Sequence, residues 1–204
     1  MLDNKGIYRI VSPSLVLMTC LFGVAEANPY GIKGQQAPSW GITEWIQLPG
    51  SRRVIDVENF RGKVLYLYCF QTWCPGCHLS GFPTLETLIN QYRNDDKIAF
   101  VAIQTVFEGY KSNTPERGFD CARRYDLNIP FGHSGSSEKQ SAFVNRYRMG
   151  GTPWVVIIDG KGKIHHNSFQ IKAKQASLII DSLKKKLQKR KREDGPNGSR
   201  IIGD

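Results

Sequence analysis

Cys74-Pro75-Gly76-Cys77 is preceded by an unbroken apolar run, Val64 to Phe70, and followed by a stretch of helical composition. That order constrains the fold more than any other feature of the chain. An apolar, aromatic-rich run of this length reads as a buried strand. The cysteine pair then falls at a helix N-terminus, where the first backbone N–H groups have no intrahelical partner and the dipole is positive. Such a place favours the thiolate form of a cysteine. Further on, Gly150-Gly151-Thr152-Pro153-Trp154 leads into a second apolar strand, Val155 to Asp159.

The first residues bear on where the chain works. Lys5 and Arg9 give a short basic start, Ile10 to Ala25 is mostly apolar, and Ala25-Glu26-Ala27 fits a small-x-small cleavage site. That is the three-part pattern of a secretory signal peptide, expected over residues 1–27. The apolar stretch is short for a membrane span and is interrupted by Pro13, so a retained anchor is the alternative. Leu17-Met18-Thr19-Cys20 is a poor lipoprotein signal. The expected location is therefore the periplasm or cell envelope. Without the leader, Cys69, Cys74, Cys77 and Cys121 remain. Four cysteines in an exported chain could be two structural disulfides. A chain of this size buries a core without staples, however, and the tight spacing after a strand favours chemistry.

Residues 28–188 suit one domain of ordinary size. The net charge of +10 resembles a nucleic-acid signal until it is located. Much of it lies in Lys184-Lys185-Lys186 and Lys189-Arg190-Lys191-Arg192. Ile171, Leu178, Ile179, Leu183 and Leu187 form a partial helical stripe, so the basic cluster is the end of a terminal helix plus a tail over 189–204. Cations are favourable there. A solvated tail is the plain reading, weak contact with anionic lipid the alternative, and nucleic acid is excluded as a partner for an exported chain.

The coarse pattern predicts an α/β domain. Residues 28–50 are Gly/Pro-rich and read as a surface wrap, with a short strand at 54–57. Strand 64–70 leads to helix 75–93 and strand 98–105. Helix 116–125, an edge strand at 129–132 and helix 138–147 follow. Strands 154–159 and 163–168 flank the turn Asp159-Gly160-Lys161-Gly162. A helix over 171–187 closes the domain.

Arg61-Gly62-Lys63, Trp73-Cys74-x-x-Cys77 and Gly151-Thr152-Pro153 together resemble the TlpA/ResA branch of the thioredoxin superfamily, over roughly residues 38–188. The resemblance implies a thioredoxin fold, a central mixed sheet flanked by helices, with an insertion between strand 98–105 and a cis-Pro turn. It implies an exported thiol–disulfide oxidoreductase, reductive in direction, with Cys74 as exposed nucleophile and Cys77 as buried resolving thiol. Pro153 is expected to be cis and beside the pair. Trp73, Pro75, Gly76, Thr152 and Pro153 are expected to meet substrate. Protein disulfides or dithiols are the implied partners and a membrane-bound protein the electron donor, with no cofactor and no metal.

The spacing agrees with that chemistry. A thiolate at Cys74 attacks a disulfide, and a thiol one turn on resolves the mixed disulfide. Pro75 suits an early helical position, since its missing N–H has no partner there. Trp73 either shields the site, with its indole N–H anchoring the strand end, or packs in the core.

The chain also departs from the family. Pro83 stands nine residues after Cys74 where the related chains have it eight after, so the helix is expected to begin differently or bulge. Tyr68 replaces the buried acid six residues before the nucleophile. Glu108 and His78 are candidate substitutes for that proton acceptor. Cys69 reads as a small buried hydrophobe, and Cys121 as an insertion residue that could pair with it.

Three rival readings exist. Cys74-x-x-Cys77-His78 matches a c-type haem attachment motif, with Met149, His133, His165 or His166 as second ligand. Cysteines with a nearby histidine could handle a metal. A thiol peroxidase of the peroxiredoxin-like branch places a Thr before its cysteine, as Thr72 does here. Finally, Phe107, Tyr110, Phe119 and Phe131 are interleaved with polar residues in the insertion, 106–137. One end of it is expected to border the active-site groove and shape substrate choice.

Overall fold

The computed structural model describes residues 29–193, apart from 49, 51 and 136–140. The signal peptide expected over 1–27 and the end of the basic tail lie outside the described residues. The elements are β1 (Glu44–Gln47), β2 (Val64–Phe70), α1 (Phe82–Gln91), β3 (Ile98–Gln104), α2 (Pro115–Arg124), β4 (Phe131–His133), α3 (Ala142–Arg146), β5 (Trp154–Ile158), β6 (Ile164–Phe169) and α4 (Ala173–Glu193). No helix among them is long and apolar enough to cross a membrane.

The six strands form one mixed sheet in the order β1-β4-β3-β2-β5-β6. β2 runs parallel to β3 and antiparallel to β5, so it is central and pairs along both sides. Its continuous apolar sequence follows from burial on both faces. Val64, Tyr66, Tyr68 and Phe70 pack with α1, α2 and α4. Leu65, Leu67 and Cys69 face the opposite layer, built from α3 and residues of the 32–57 segment. All seven residues of β2 are buried.

The wrap expected over 28–50 contains a strand. β1 pairs antiparallel with β4 and forms the sheet edge, which moves β4 inside the sheet. The strand expected at 54–57 is instead a 3-10 turn, Val57–Phe60. Asp56 caps it: its Oδ1 accepts from the Val57 amide at 2.7 Å and the Trp40 amide at 2.8 Å, while its own N–H donates to Asn59 Oδ1 at 2.7 Å. That cap ties the N-terminal segment to the domain. α4 runs on to Glu193, past the end expected at 187.

Candidate active site

The cysteine pair sits where the chain leaves β2. Pro75 and Gly76 start the helical turn, and residues Cys77–Gly81 form a π turn that joins α1. The displaced Pro83 accounts for it. One residue more than usual lies between Cys74 and the proline, and a π turn absorbs one extra residue without ending the helix. Pro83 then falls in the first turn of α1, where its missing N–H does no harm.

Cys74 and Cys77 are free thiols, and both are buried. Cys74 is 7% exposed and Cys77 0%, so the nucleophile expected to be exposed is itself buried, though less completely than its partner. The Cys77 N–H donates to Cys74 Sγ at 3.3 Å, and the Cys74 thiol lies 3.5 Å from the Thr152 carbonyl. Thr152–Pro153 is cis. A Cβ placed on Gly76 would stand 3.3 Å from Pro153 Cδ, so the two loops are in close approach. Burial, first, and the hydrogen bond with Cys74 push the Cys77 thiol up to about 12, against the amide of Gln71 and the Thr152 hydroxyl, which favour its thiolate.

Large apolar side chains surround this point. Trp73 is 46% exposed, which rules out simple core packing, and its indole N–H donates to Gln71 Oε1 at 3.1 Å. Leu79 projects from the π turn and is 82% exposed. The Phe169 ring leans on Gly151 and the Tyr30 ring on Gly150, both half-exposed beside the cis turn.

The candidate proton acceptors are placed differently. Tyr68 donates its hydroxyl to the Cys77 carbonyl at 3.2 Å. Glu108 is exposed. His78 meets the Thr72 carbonyl with Nε2 at 2.7 Å and the Tyr125 hydroxyl with Nδ1 at 2.9 Å. A carbonyl only accepts, so Nε2 carries the proton. Both nitrogens are thus engaged in holding α2 to the start of the cysteine helix. Cys69 belongs to one core layer and Cys121 to the other, so the sheet separates them as a pair. Burial pushes the Cys69 thiol up strongly and the Cys121 thiol up to about 11.

The insertion does border the site. Thr72 donates from its amide to Asn113 Oδ1 at 2.9 Å, and from its hydroxyl to the Ser112 carbonyl at 2.7 Å. Phe131 is fully buried, Phe107 packs on the core, and Phe119 is exposed beneath the Arg123 guanidinium. Asn113 and Gln71 were not singled out by the sequence. Each is a polar residue in a polar or turn-like stretch, and only tertiary closure buries them.

The Redoxin family model matches residues 33–177. A thiol-disulfide oxidoreductase ResA of Bacillus cereus is 23% identical over 193 residues, covering 92% of this chain and 99% of the relative. The ResA of Bacillus thuringiensis subsp. konkukian is 23% identical over 194 residues, with the same coverage of 92% and 99%. Among solved structures, the thioredoxin-like superfamily protein SPOA0173 superposes with a TM-score of 0.65 at 26% identity, over 72% of this chain and 95% of that one. A thiol-disulfide isomerase from Corynebacterium glutamicum gives a TM-score of 0.64 at 25% identity, over 74% and 96%. The chain belongs to the Redoxin family, as a ResA-like oxidoreductase on a thioredoxin fold.

Proposed function

We propose that this chain reduces protein disulfides in the cell envelope through Cys74 and Cys77. The carrying observation is the asymmetry of the pair: Cys74, at a helix start, is the less buried of the two, while Cys77 is fully buried with its N–H on the Cys74 sulfur. Cys74 attacks one sulfur of the substrate disulfide as thiolate. A Cys74–substrate disulfide forms and one substrate thiolate leaves, taking a proton. The Cys77 thiolate then attacks Cys74 Sγ and releases the second substrate thiol. The substrate gains two electrons and two protons, and the chain ends as the Cys74–Cys77 disulfide. A membrane-bound dithiol donor resets it. Trp73, Pro75, Gly76, Thr152 and Pro153 form the surface that the substrate meets, and the Thr152 carbonyl faces the attacking sulfur.

The cell-envelope location rests on the basic, apolar and small-residue pattern of residues 1–27. Weak contact of the basic tail with anionic lipid fits its run of cations. The peroxidase reading loses its main support, because the Thr72 hydroxyl is committed to Ser112 and Asn113. The haem reading loses its histidine, whose ring nitrogens are held by Thr72 and Tyr125. Insulin reduction in the presence of a dithiol tests the proposal. The native chain should accelerate it and Cys74→Ser should not; equal rates would reject the assignment.

A further inference from the structure

Gly150 and Gly151 lead into the cis Thr152–Pro153 bond, and an aromatic ring stands against each where a side chain would project. A Cβ on Gly150 would lie 3.0 Å from the Tyr30 ring, and one on Gly151 2.9 Å from the Phe169 ring. Both rings are half-exposed, so each rests on the turn and opens to solvent. Phe169 ends β6 and meets the Trp154 ring edge-on, with centroids 4.9 Å apart. Trp154 is fixed in turn: its indole N–H donates to Asn167 Oδ1, and Asn167 Nδ2 donates to the Tyr147 carbonyl at 3.2 Å. Tyr30 arrives on the N-terminal segment. There the Gly31 amide donates to the Arg148 carbonyl at 2.9 Å and the Gly34 amide to the Ile164 carbonyl at 2.8 Å. The rings are held in place before anything binds, and a partner that covers them orders little.

This platform continues the surface in front of the nucleophile. The Cys74 thiol lies 3.5 Å from the Thr152 carbonyl, and Gly151 and Gly150 are the next residues back along the same turn. An extended chain advances about 3.3 Å per residue, so a substrate strand laid along the turn with its half-cystine at Cys74 puts a side chain about one to three residues away over the rings. Exposed aromatic surface beside a reacting group gains by covering an apolar side chain. The stretches that build the platform, 29–37, 145–154 and 166–174, expose Lys33, Arg148, Lys172 and Lys174 and hold no carboxylate, so a basic flank is disfavoured.

We propose that Tyr30 and Phe169 form a specificity subsite that takes a large apolar side chain in a non-basic segment beside the substrate's half-cystine. The proposal rests on the reduction of protein disulfides assigned above. In a folded protein such a side chain is buried in the core, whereas in an unfolded chain it is free to reach the rings. The favoured substrate is therefore a disulfide of an unfolded polypeptide, presented in an extended segment.

The test is the second-order rate constant of the pre-reduced full chain with flexible peptides closed by one disulfide, read as released dithiol peptide by mass. Two peptides differ only in a leucine or a serine beside one cysteine, next to a glutamate. Each rate is divided by that of dithiothreitol on the same peptide, which removes intrinsic reactivity. The native chain should favour the leucine peptide about fivefold, less than a closed pocket gives because the platform is half open. Phe169→Ala and Tyr30→Ala should each lower that ratio roughly twofold or more. Phe169→Leu should keep it, since an apolar side chain remains against Gly151. Phe119→Ala removes an exposed ring on α2 beside Arg123 and should leave the ratio unchanged. Exchanging the glutamate for lysine should slow the leucine peptide, and equal rates would overturn the stated charge preference. A native ratio near one, a Phe169→Ala chain that slows both peptides equally, or a Phe119→Ala chain that moves the ratio as far overturns the subsite alone. A native chain that leaves every peptide disulfide intact, although Cys74 and Cys77 alkylate as free thiols, overturns the proposed function and this subsite with it.

Discussion

The Tyr68 hydroxyl donates to the Cys77 carbonyl at 3.2 Å, inside the π turn that carries the second cysteine. Tyr68 stands six residues before Cys74, the position at which a thioredoxin-type buried acid is expected. Here burial, first, and the neighbouring Cys77 drive the phenol's pKa far up, so it stays neutral. It acts as a hydrogen-bond donor to backbone and brings no negative charge to the site.

Tyr68 and Gly81 are fitted to each other. A Cβ on Gly81 would run into the Tyr68 hydroxyl and ring. Tyr68→Phe should cost about 1 kcal/mol, the worth of one buried hydrogen bond. Gly81→Ala should cost roughly 1–3 kcal/mol from overpacking, and much less in a Tyr68→Leu background. A double-mutant cycle from urea unfolding reads the coupling. Additive costs would mean that the two positions are independent.

The insertion loop calls for finer surgery than wholesale replacement. Substituting 108–115 with a Gly/Ser linker removes Asn113 and disturbs the cysteine turn itself. Glu108→Ser with Lys111→Ser alters only exposed side chains. It should slow reaction with the protein substrate several-fold and leave exchange with a small disulfide intact. Parallel rates for both substrates would remove the loop tip from substrate choice.

Alkaline pH should loosen the fold through Cys77. Its thiol rises from an ordinary 9.0 to about 12, because burial and the hydrogen bond with Cys74 disfavour the thiolate. Between those values the folded chain keeps a proton that the unfolded chain has lost. The contribution is complete below about 9 and falls away as pH climbs toward 12. At about pH 10.5 the loss is of order 1–2 kcal/mol. Cys77→Ala should therefore show a shallower decline in unfolding free energy between about pH 8 and 10.5. An identical slope would mean that Cys77 is not protonated by burial.

Much of the fold was legible because β2 is apolar on both faces and runs straight into the cysteine pair. Pro83, one place late, signalled a bulge, and the π turn is that bulge. Other parts were hidden for physical reasons. β1 is short, and Glu44-Trp45-Ile46-Gln47 gains its strand character from β4 rather than from its own pattern. Val54 to Val57 reads as a strand by composition, but the Asp56 capping box turns the chain into a 3-10 turn. At the site, the cysteines and the Thr-Pro turn carry their chemistry in the sequence. Asn113 and Gln71 do not, since their partners lie about forty residues away along the chain.

The central claim is that Cys74 attacks and Cys77 resolves. Trapping tests it most directly. Cys77→Ser is incubated with a disulfide-bonded protein substrate, quenched with acid, and mapped by peptide mass spectrometry. The account predicts a stable mixed disulfide through Cys74, absent from Cys74→Ser and transient in the native chain. A substrate adduct on Cys69 or Cys121, or equal trapping by Cys74→Ser, would contradict it.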